Sequence, residues 1–267
     1  MPTWLITGCS TGLGRALAEA VIDAHHNAVV TARDAAKVAD LADVAPDRVL
    51  AVALDVTKPD QIDSAVRQAE QRFGGVDVLV NNAGYGYRAA VEEGDDAEVR
   101  TLFETHFFGA VAMIKAVLPG MRARRSGAIV NVSSIGAQVM PVGSGYYAAA
   151  KAALEGMSGA LRGELAPLGI SVTVVEPGAF RTDFAGARSF SRPPSSTTTP
   201  EPPDSVARKT TACTARRPAT PPRPAPRSSP PSNPASRRRS CCWAPTRLPC
   251  IATPRTRAPA RSPSGSS

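Results

Sequence analysis

The chain has 267 residues, of which 43% are hydrophobic and 20% charged, and it carries a formal net charge of +8; this is enough for one large α/β domain or two small ones. The charge is unevenly placed: residues 191–267 hold 18 of the 25 prolines and 14 basic against 2 acidic residues, a local +12 that leaves the first 190 residues at −4. The body is therefore mildly acidic, without the electrostatic footprint of a nucleic-acid binder. No segment approaches the length of a membrane span. Met1 leads straight into Trp4-Leu5-Ile6-Thr7, with no charged region, apolar run and cleavage site of a signal peptide. One of the five cysteines, Cys9, lies in the body, which argues against a disulfide framework and suits a reducing cytoplasm.

Along the body, short β-branched runs alternate with longer amphipathic ones. Strands are predicted at Thr3 to Thr7, Ala28 to Thr31, Val49 to Asp55, Val76 to Val80, Ala128 to Val132 and Ser171 to Val175. Helices are predicted between them, at Leu13 to His25, Ala35 to Leu41, Pro59 to Phe73, Glu98 to Arg122 and Tyr146 to Leu168. Strict alternation indicates an α/β fold, a doubly wound parallel sheet with helices on both faces, because parallel neighbours need crossover connections. Runs such as Val78-Leu79-Val80 are apolar throughout, as expected of strands covered on both sides.

The first strand runs into Thr7-Gly8-Cys9-Ser10-Thr11-Gly12-Leu13-Gly14, which opens the first helix. Glycines there permit a tight turn, let the backbone approach a pyrophosphate and allow close helix packing, while the helix N-terminal amides face the phosphates. Thr7, Gly8, Ser10, Thr11, Gly12, Leu13 and Gly14 are thus candidate cofactor-binding residues. An ordinary tight turn is the bland alternative. At the end of the second strand, Val30-Thr31-Ala32-Arg33 offers a guanidinium in place of the carboxylate that would grip a ribose 2′-hydroxyl. That pattern predicts NADP(H) rather than NAD(H), with NAD(H) the alternative and an exposed helix-start arginine the bland reading of Arg33.

Ser134 ends the apolar run from Gly127, so its hydroxyl is expected at the C-terminal end of a strand, where open α/β sheets place ligands. Tyr147 and Lys151 are four apart in a helix-forming stretch and share one face. An adjacent ammonium favours the phenolate and lowers a tyrosine pKa toward the working range. A Tyr and a Lys at this spacing also occur by chance. The three histidines offer no ligand cluster, and the chemistry expected here needs no metal.

These residues together resemble the short-chain dehydrogenase/reductase family, single-domain Rossmann oxidoreductases, from Pro2 to about Ala185. The resemblance is carried by Thr7-Gly8-x3-Gly12-x-Gly14, Asp55-Val56, Asn81-Asn82-Ala83-Gly84, Ser134, Tyr147-x3-Lys151 and Pro177-Gly178-x3-Thr182, in that order. It implies Asp55 at the adenine edge, Asn82, Ala83 and Gly84 as a loop beside the cofactor, and Thr182 at the nicotinamide carboxamide, with Val56, Pro177 and Gly178 also among the cofactor-binding residues. It implies further that Tyr147 exchanges a proton with the substrate oxygen, Ser134 holds that oxygen, and Lys151 tunes Tyr147 and binds the cofactor ribose. The family commonly has an asparagine, supporting a water-linked proton relay, where this chain has His106. For Asp55 a helix or turn cap is the alternative role.

The resemblance implies an enzyme acting on a small-molecule carbonyl or alcohol, and the cysteine usage and the apolar runs add the expectation of a cytoplasmic location and no membrane partner. A homo-oligomer is expected for the family, although the usual C-terminal contact is altered here. Three function classes follow: an NADP-dependent carbonyl reductase or alcohol dehydrogenase, a cofactor-binding but catalytically impaired relative, and, ranked last, a protein whose basic tail contacts nucleic acid. From Ser191 onward only Val206, Trp243, Leu248 and Ile251 are large and apolar, too few to offset the entropy of ordering 77 residues. The sequence predicts a Rossmann domain over 1–190 and a disordered Pro/Arg/Ser-rich tail over 191–267. The tail's composition is what a GC-rich gene yields out of frame, which predicts a frameshift near Arg188; a genuine basic tail is the alternative.

Overall fold

Six apolar runs become six parallel strands in the computed structural model, which describes residues 1–178, residue 180 and the backbone of 190–191. The strands are β1 (Thr3–Ile6), β2 (Asn27–Ala32), β3 (Val49–Ala53), β4 (Val78–Asn81), β6 (Gly127–Val132) and β7 (Ile170–Val175), in the order β3-β2-β1-β4-β6-β7. Two-residue strands β5 (Tyr87–Arg88) and β8 (Phe190–Ser191) pair separately. The chain divides into Met1–Thr211 and Ala212–Ser267, and every described residue lies in the first unit. Thr182 and the tail expected beyond Ser191 lie outside the described residues.

Register aligns one apolar row across the sheet. Leu5 faces both Val29 and Leu79, Leu79 faces Ile129, and Ile129 faces Val172. All five point into one core with α3 (Pro59–Phe73), α5 (Gly109–Arg124) and α7 (Gly145–Leu165). The alternate residues Ile6, Val30 and Val80 point to the other face, against Ala18, Val21 and Ile22 of α1 (Gly12–Asp23) and Leu41 of α2 (Ala39–Val44). Each fully buried Leu or Ile contributes about 1.5–3 kcal/mol. Truncating Leu79 or Ile129, both at 0% exposure, to alanine costs about 2–5 kcal/mol.

Local chemistry sets the helix ends. Pro59 opens α3, and Gly74 at φ +83 closes it by donating to Glu70 O at 2.8 Å. The single helix expected from Ala35 is instead a 3₁₀ turn, Ala35–Val38, followed by α2; Asp34 caps the turn through Ala36 N, and Val38 at φ −131 breaks the run. The last long helix ends at Leu165 because Pro167 brings no N–H and Gly169 at φ +72 turns the chain back.

The predicted Glu98 to Arg122 helix is a longer composite. It comprises α4 (Asp96–Phe103), a π segment (Glu104–Phe108) and α5. Asp95 caps it through the amides of Ala97 and Glu98, both at 3.0 Å. By length and composition this 29-residue run could cross a membrane, contrary to the sequence expectation that no segment comes near that length. Its inner face, with Met113, Ile114, Val117 and Met121, is buried in the sheet's core. A short helix α6 (Gly136–Val139) precedes α7.

The strand order, not the strand direction, reverses at β1, since β2 and β3 lie on one side of it and β4, β6 and β7 on the other. In such sheets the crevice beyond the strands' C-terminal ends at this switch point is where ligands sit.

Candidate active site

All the predicted site residues among those described follow the C-terminal end of a strand or face that edge from a helix. Thr7 to Gly14 join β1 to α1, Arg33 follows β2, Asp55 and Val56 follow β3, and Asn82 to Gly84 follow β4. Ser134 lies two residues past β6, and Pro177 and Gly178 lie past β7.

Thr7 and Asn82 lock the first two loops together. Thr7 Oγ1 accepts from the amides of Asn82 and Ala83, each at 2.9 Å, and donates to Val80 O at 3.2 Å. Asn82 Nδ2 donates to the carbonyls of Thr7 at 2.9 Å and Gly8 at 3.1 Å. The glycines are required by this closeness: a Cβ on Gly14 would lie 2.3 Å from both Asn82 Nδ2 and Gly8 O, and Gly8 holds φ +74. Thr11 caps α1 in extended conformation without a side-chain hydrogen bond, and the first turn holds no acidic residue. An α-helix N-terminus so arranged presents its amides and positive dipole end to an anion. Ser10 is half-buried beside it, and Leu13 is exposed.

Arg33 is exposed at the end of β2, and its neighbour Asp34 is engaged in capping the 3₁₀ turn. Asp55 does what its cap alternative describes: Oδ1 accepts from Thr57 N at 3.0 Å and Thr57 Oγ1 at 2.8 Å. Val56 is buried against Gly109, where a Cβ would fall 2.8 Å from Val56 O.

Helix α7 brings Tyr147 and Lys151 to the Ser134 loop. The Ser134 hydroxyl lies near enough to the Tyr147 phenol to lower its pKa, and Ser134 Oγ accepts from Gly136 N at 3.0 Å. Gly136 keeps the space open, since a Cβ there would be 3.2 Å from Ser134 Oγ and 3.5 Å from Tyr147 Cε1. Lys151 is buried; its ammonium donates to Val132 O at 2.7 Å and lies 5.9 Å from the centre of the Tyr147 ring.

The electrostatics of this pair differ from the sequence expectation. Burial raises the Tyr147 pKa above 10.0, with the Ser134 hydroxyl pulling it down. Burial also lowers Lys151 to about 8, against the opposing pull of Glu155. The ammonium faces the ring and is anchored on a carbonyl, so Lys151 does not bring Tyr147 below its ordinary value within the protein alone.

His106 enters from the π segment. The extra residue of a π turn redirects side chains, and such turns recur at functional sites. Its ring is buried and packs edge-on against Tyr147 at 5.5 Å and Tyr85 at 5.4 Å between centroids. His106 Nε2 lies 3.1 Å from Tyr85 N and 2.8 Å from Tyr85 O, so the tautomer decides whether it accepts or donates. Burial first, then the Lys151 charge, lowers its pKa well below 6.5, which keeps it neutral. Gly84 is glycine because a Cβ would fall 2.5 Å from this ring.

Behind these groups lies a cavity of about 10 Å³ lined by Thr7, Asn81, His106 and Lys151 among others. Among the described residues, His106 Nδ1 and Asn81 Oδ1 are buried without a hydrogen-bond partner. A cavity of this size has room for roughly one water, which needs two or more polar partners. Asn81 Nδ2 meanwhile donates to Asn131 Oδ1 at 2.8 Å, and Asn131 Nδ2 donates to Ser158 Oγ at 2.8 Å. This buried ladder ties β4, β6 and α7 beneath the site. Sequence reading missed Asn131, Ser158 and Tyr85, whose contacts join positions far apart in the chain.

Residues 2–191 match the family described as short chain dehydrogenase. An oxidoreductase of Botryotinia fuckeliana is 43% identical over 185 residues, 69% of this chain and 68% of that protein. A crystal structure of a short-chain dehydrogenase from Streptomyces avermitilis shares the fold with a TM-score of 0.68 and 46% identity, covering 71% of this chain and 72% of the other. A gluconate 5-dehydrogenase from Burkholderia cenocepacia J2315, in complex with NADP and tartrate, gives a TM-score of 0.66 at 30% identity, covering 70% and 74% respectively.

Proposed function

Because this chain belongs to the short-chain dehydrogenase family, we propose that it is an oxidoreductase acting with NADP(H) on a carbonyl or secondary alcohol of a small or medium-sized organic substrate. The observation that carries the reading is the convergence of Ser134 and Tyr147 over Gly136, with Lys151 Nζ 5.9 Å from the centre of the phenol ring, at the C-terminal edge of the sheet.

The residues fit a dinucleotide. The uncapped first turn of α1, free of acidic residues, suits a pyrophosphate. Arg33 suits a 2′-phosphate, while the neighbouring Asp34 carboxylate is held in a cap. The NADP complex of the 30%-identical gluconate 5-dehydrogenase supports the same cofactor. When bound, the nicotinamide supplies or accepts hydride.

The protein's own share is position and proton. Ser134 holds the substrate oxygen by hydrogen bonding. Tyr147, its phenol kept protonated at neutral pH by burial, gives its proton to that oxygen when a carbonyl is reduced. Lys151 places a buried positive charge beneath the phenol, where it offsets negative charge left on the oxygen. His106 and Lys151 both line the cavity behind, and a water there would complete a path for returning the proton to Tyr147. Pro177 O accepts from Ile135 N at 3.1 Å, so the segment leading to Thr182 is tied to the Ser134 loop. We assign the family domain to 1–190, where the match and the change in composition nearly coincide.

A second reading, a cofactor-binding but impaired relative, draws on one observation: His106 Nε2 is committed to the Tyr85 backbone, as a structural clamp would be. Mixing the purified chain with NADPH and a panel of ketones and aldehydes separates the two. Loss of NADPH absorbance with some member supports the enzyme; NADPH binding with no loss across the panel supports the impaired relative.

A further inference from the structure

Glu155 stands one helical turn beyond Lys151 on α7 and reaches back to the loop that carries Ser134. One of its carboxylate oxygens accepts from Ser133 Oγ, and the other accepts from Gln138 Nε2 at 2.7 Å. Ser133 is itself buried, and its amide donates to Val175 O at 2.7 Å. Lys151 meanwhile holds the preceding residue through Val132 O. The chain on both sides of Ser133 is thus gripped by two charged side chains of the helix that bears Tyr147. Tyr147, Lys151 and Glu155 follow at intervals of four, on one helix face.

We propose that Glu155 is a positioning residue: its carboxylate fixes the Ser134 loop against α7 and places a negative charge one helical turn from the buried Lys151 ammonium. The inference rests on the oxidoreductase reading above for its functional meaning, but its electrostatic half does not depend on turnover.

Among the described residues, no other charged group substitutes for Glu155. The other titratable neighbours of Lys151 among them are Tyr147 on its own helix and His106 from the π segment, which stays neutral. Strands β6 and β7 and helix α6 carry no titratable side chain. Asp96, Glu98 and Arg100 of α4 and Arg88 of β5 exert no resolved pull on Lys151, whereas Glu155 does.

The chain has five lysines, few enough for the ¹³Cε resonance of each to be followed by NMR in lysine-labelled protein, with Lys151→Arg giving the assignment. In the wild type the Lys151 resonance should titrate near about 8. Glu155→Gln keeps an acceptor for Ser133 but removes the charge, and should lower that midpoint by about one pH unit; Glu155→Asp should hold it near the wild-type value. An unchanged midpoint in Glu155→Gln overturns the proposal. In the same preparations Glu155→Ala should lower kcat about tenfold with NADPH affinity retained, since it also releases Ser133; wild-type kcat in Glu155→Ala overturns the positioning role. Should the wild type turn over no substrate, the oxidoreductase reading fails, while the midpoints still decide whether the Glu155 charge acts on Lys151.

Discussion

The buried ammonium of Lys151 donates to the carbonyl oxygen of Val132 at 2.7 Å, so the helix that carries Tyr147 is pinned to the strand end that leads to Ser134. That hydrogen bond, together with the Glu155 contacts to Ser133 and Gln138, holds the phenol and the serine in register. It also leaves the ammonium inside the protein, and this has a measurable signature.

In the unfolded chain Lys151 titrates near 10.5, and in the fold near about 8. Below about pH 8 both states carry the proton and the penalty of burying the charge is fully present. Between about pH 8 and 10.5 the unfolded state binds more protons than the folded one, so this group makes stability rise with pH across that window. Comparing thermal unfolding of the wild type and Lys151→Met, the difference should move in the wild type's favour as pH rises through the window. A constant difference would show that the amine is not desolvated as described.

His106 should act in the acid range. Its imidazole is held neutral in the fold by burial and by Lys151. Above 6.5 both states are neutral there; as pH falls below 6.5 the unfolded chain takes up the proton first, and stability is lost. His106→Asn removes this liability, so its melting temperature should fall less between about pH 7 and 5 than that of the wild type. Parallel losses in the two proteins would mean that His106 is protonated in the fold.

Much of this was legible along the chain because it is local. All six sheet strands, the Gly8-x3-Gly12-x-Gly14 turn and the Tyr147–Lys151 pair are patterns of neighbouring residues whose period or spacing states their geometry. The π segment left no comparable trace, since Glu104–Phe108 has an ordinary helical composition and only tertiary packing shows the extra residue. Clasps between distant positions were equally silent: His106 to Tyr85, Asn81 to Asn131, and Glu155 to Ser133. The pKa argument failed for the same reason. Spacing put Lys151 beside Tyr147, but only the packing shows the ammonium turned to Val132 and the phenol buried.

Arg33 decides the cofactor in this account. It is exposed at the end of β2, and its guanidinium is the group proposed to meet a 2′-phosphate. Arg33→Ala should weaken NADPH binding by about tenfold or more, the worth of one charge-assisted hydrogen bond, while NADH binding stays nearly unchanged. Titrating each nucleotide separately against both proteins checks this. Equal affinity of the wild type for NADH and NADPH, or an unchanged preference in the variant, would remove Arg33 from that role.

The central claim, that the Tyr147 hydroxyl carries the proton, is tested most directly by Tyr147→Phe, which removes one oxygen and keeps the ring between His106 and Lys151. With whichever ketone or aldehyde the wild type reduces, kcat should fall by about 10²–10⁴-fold or more, while NADPH affinity remains close to the wild-type value. Turnover retained in Tyr147→Phe at the wild-type level would contradict the account.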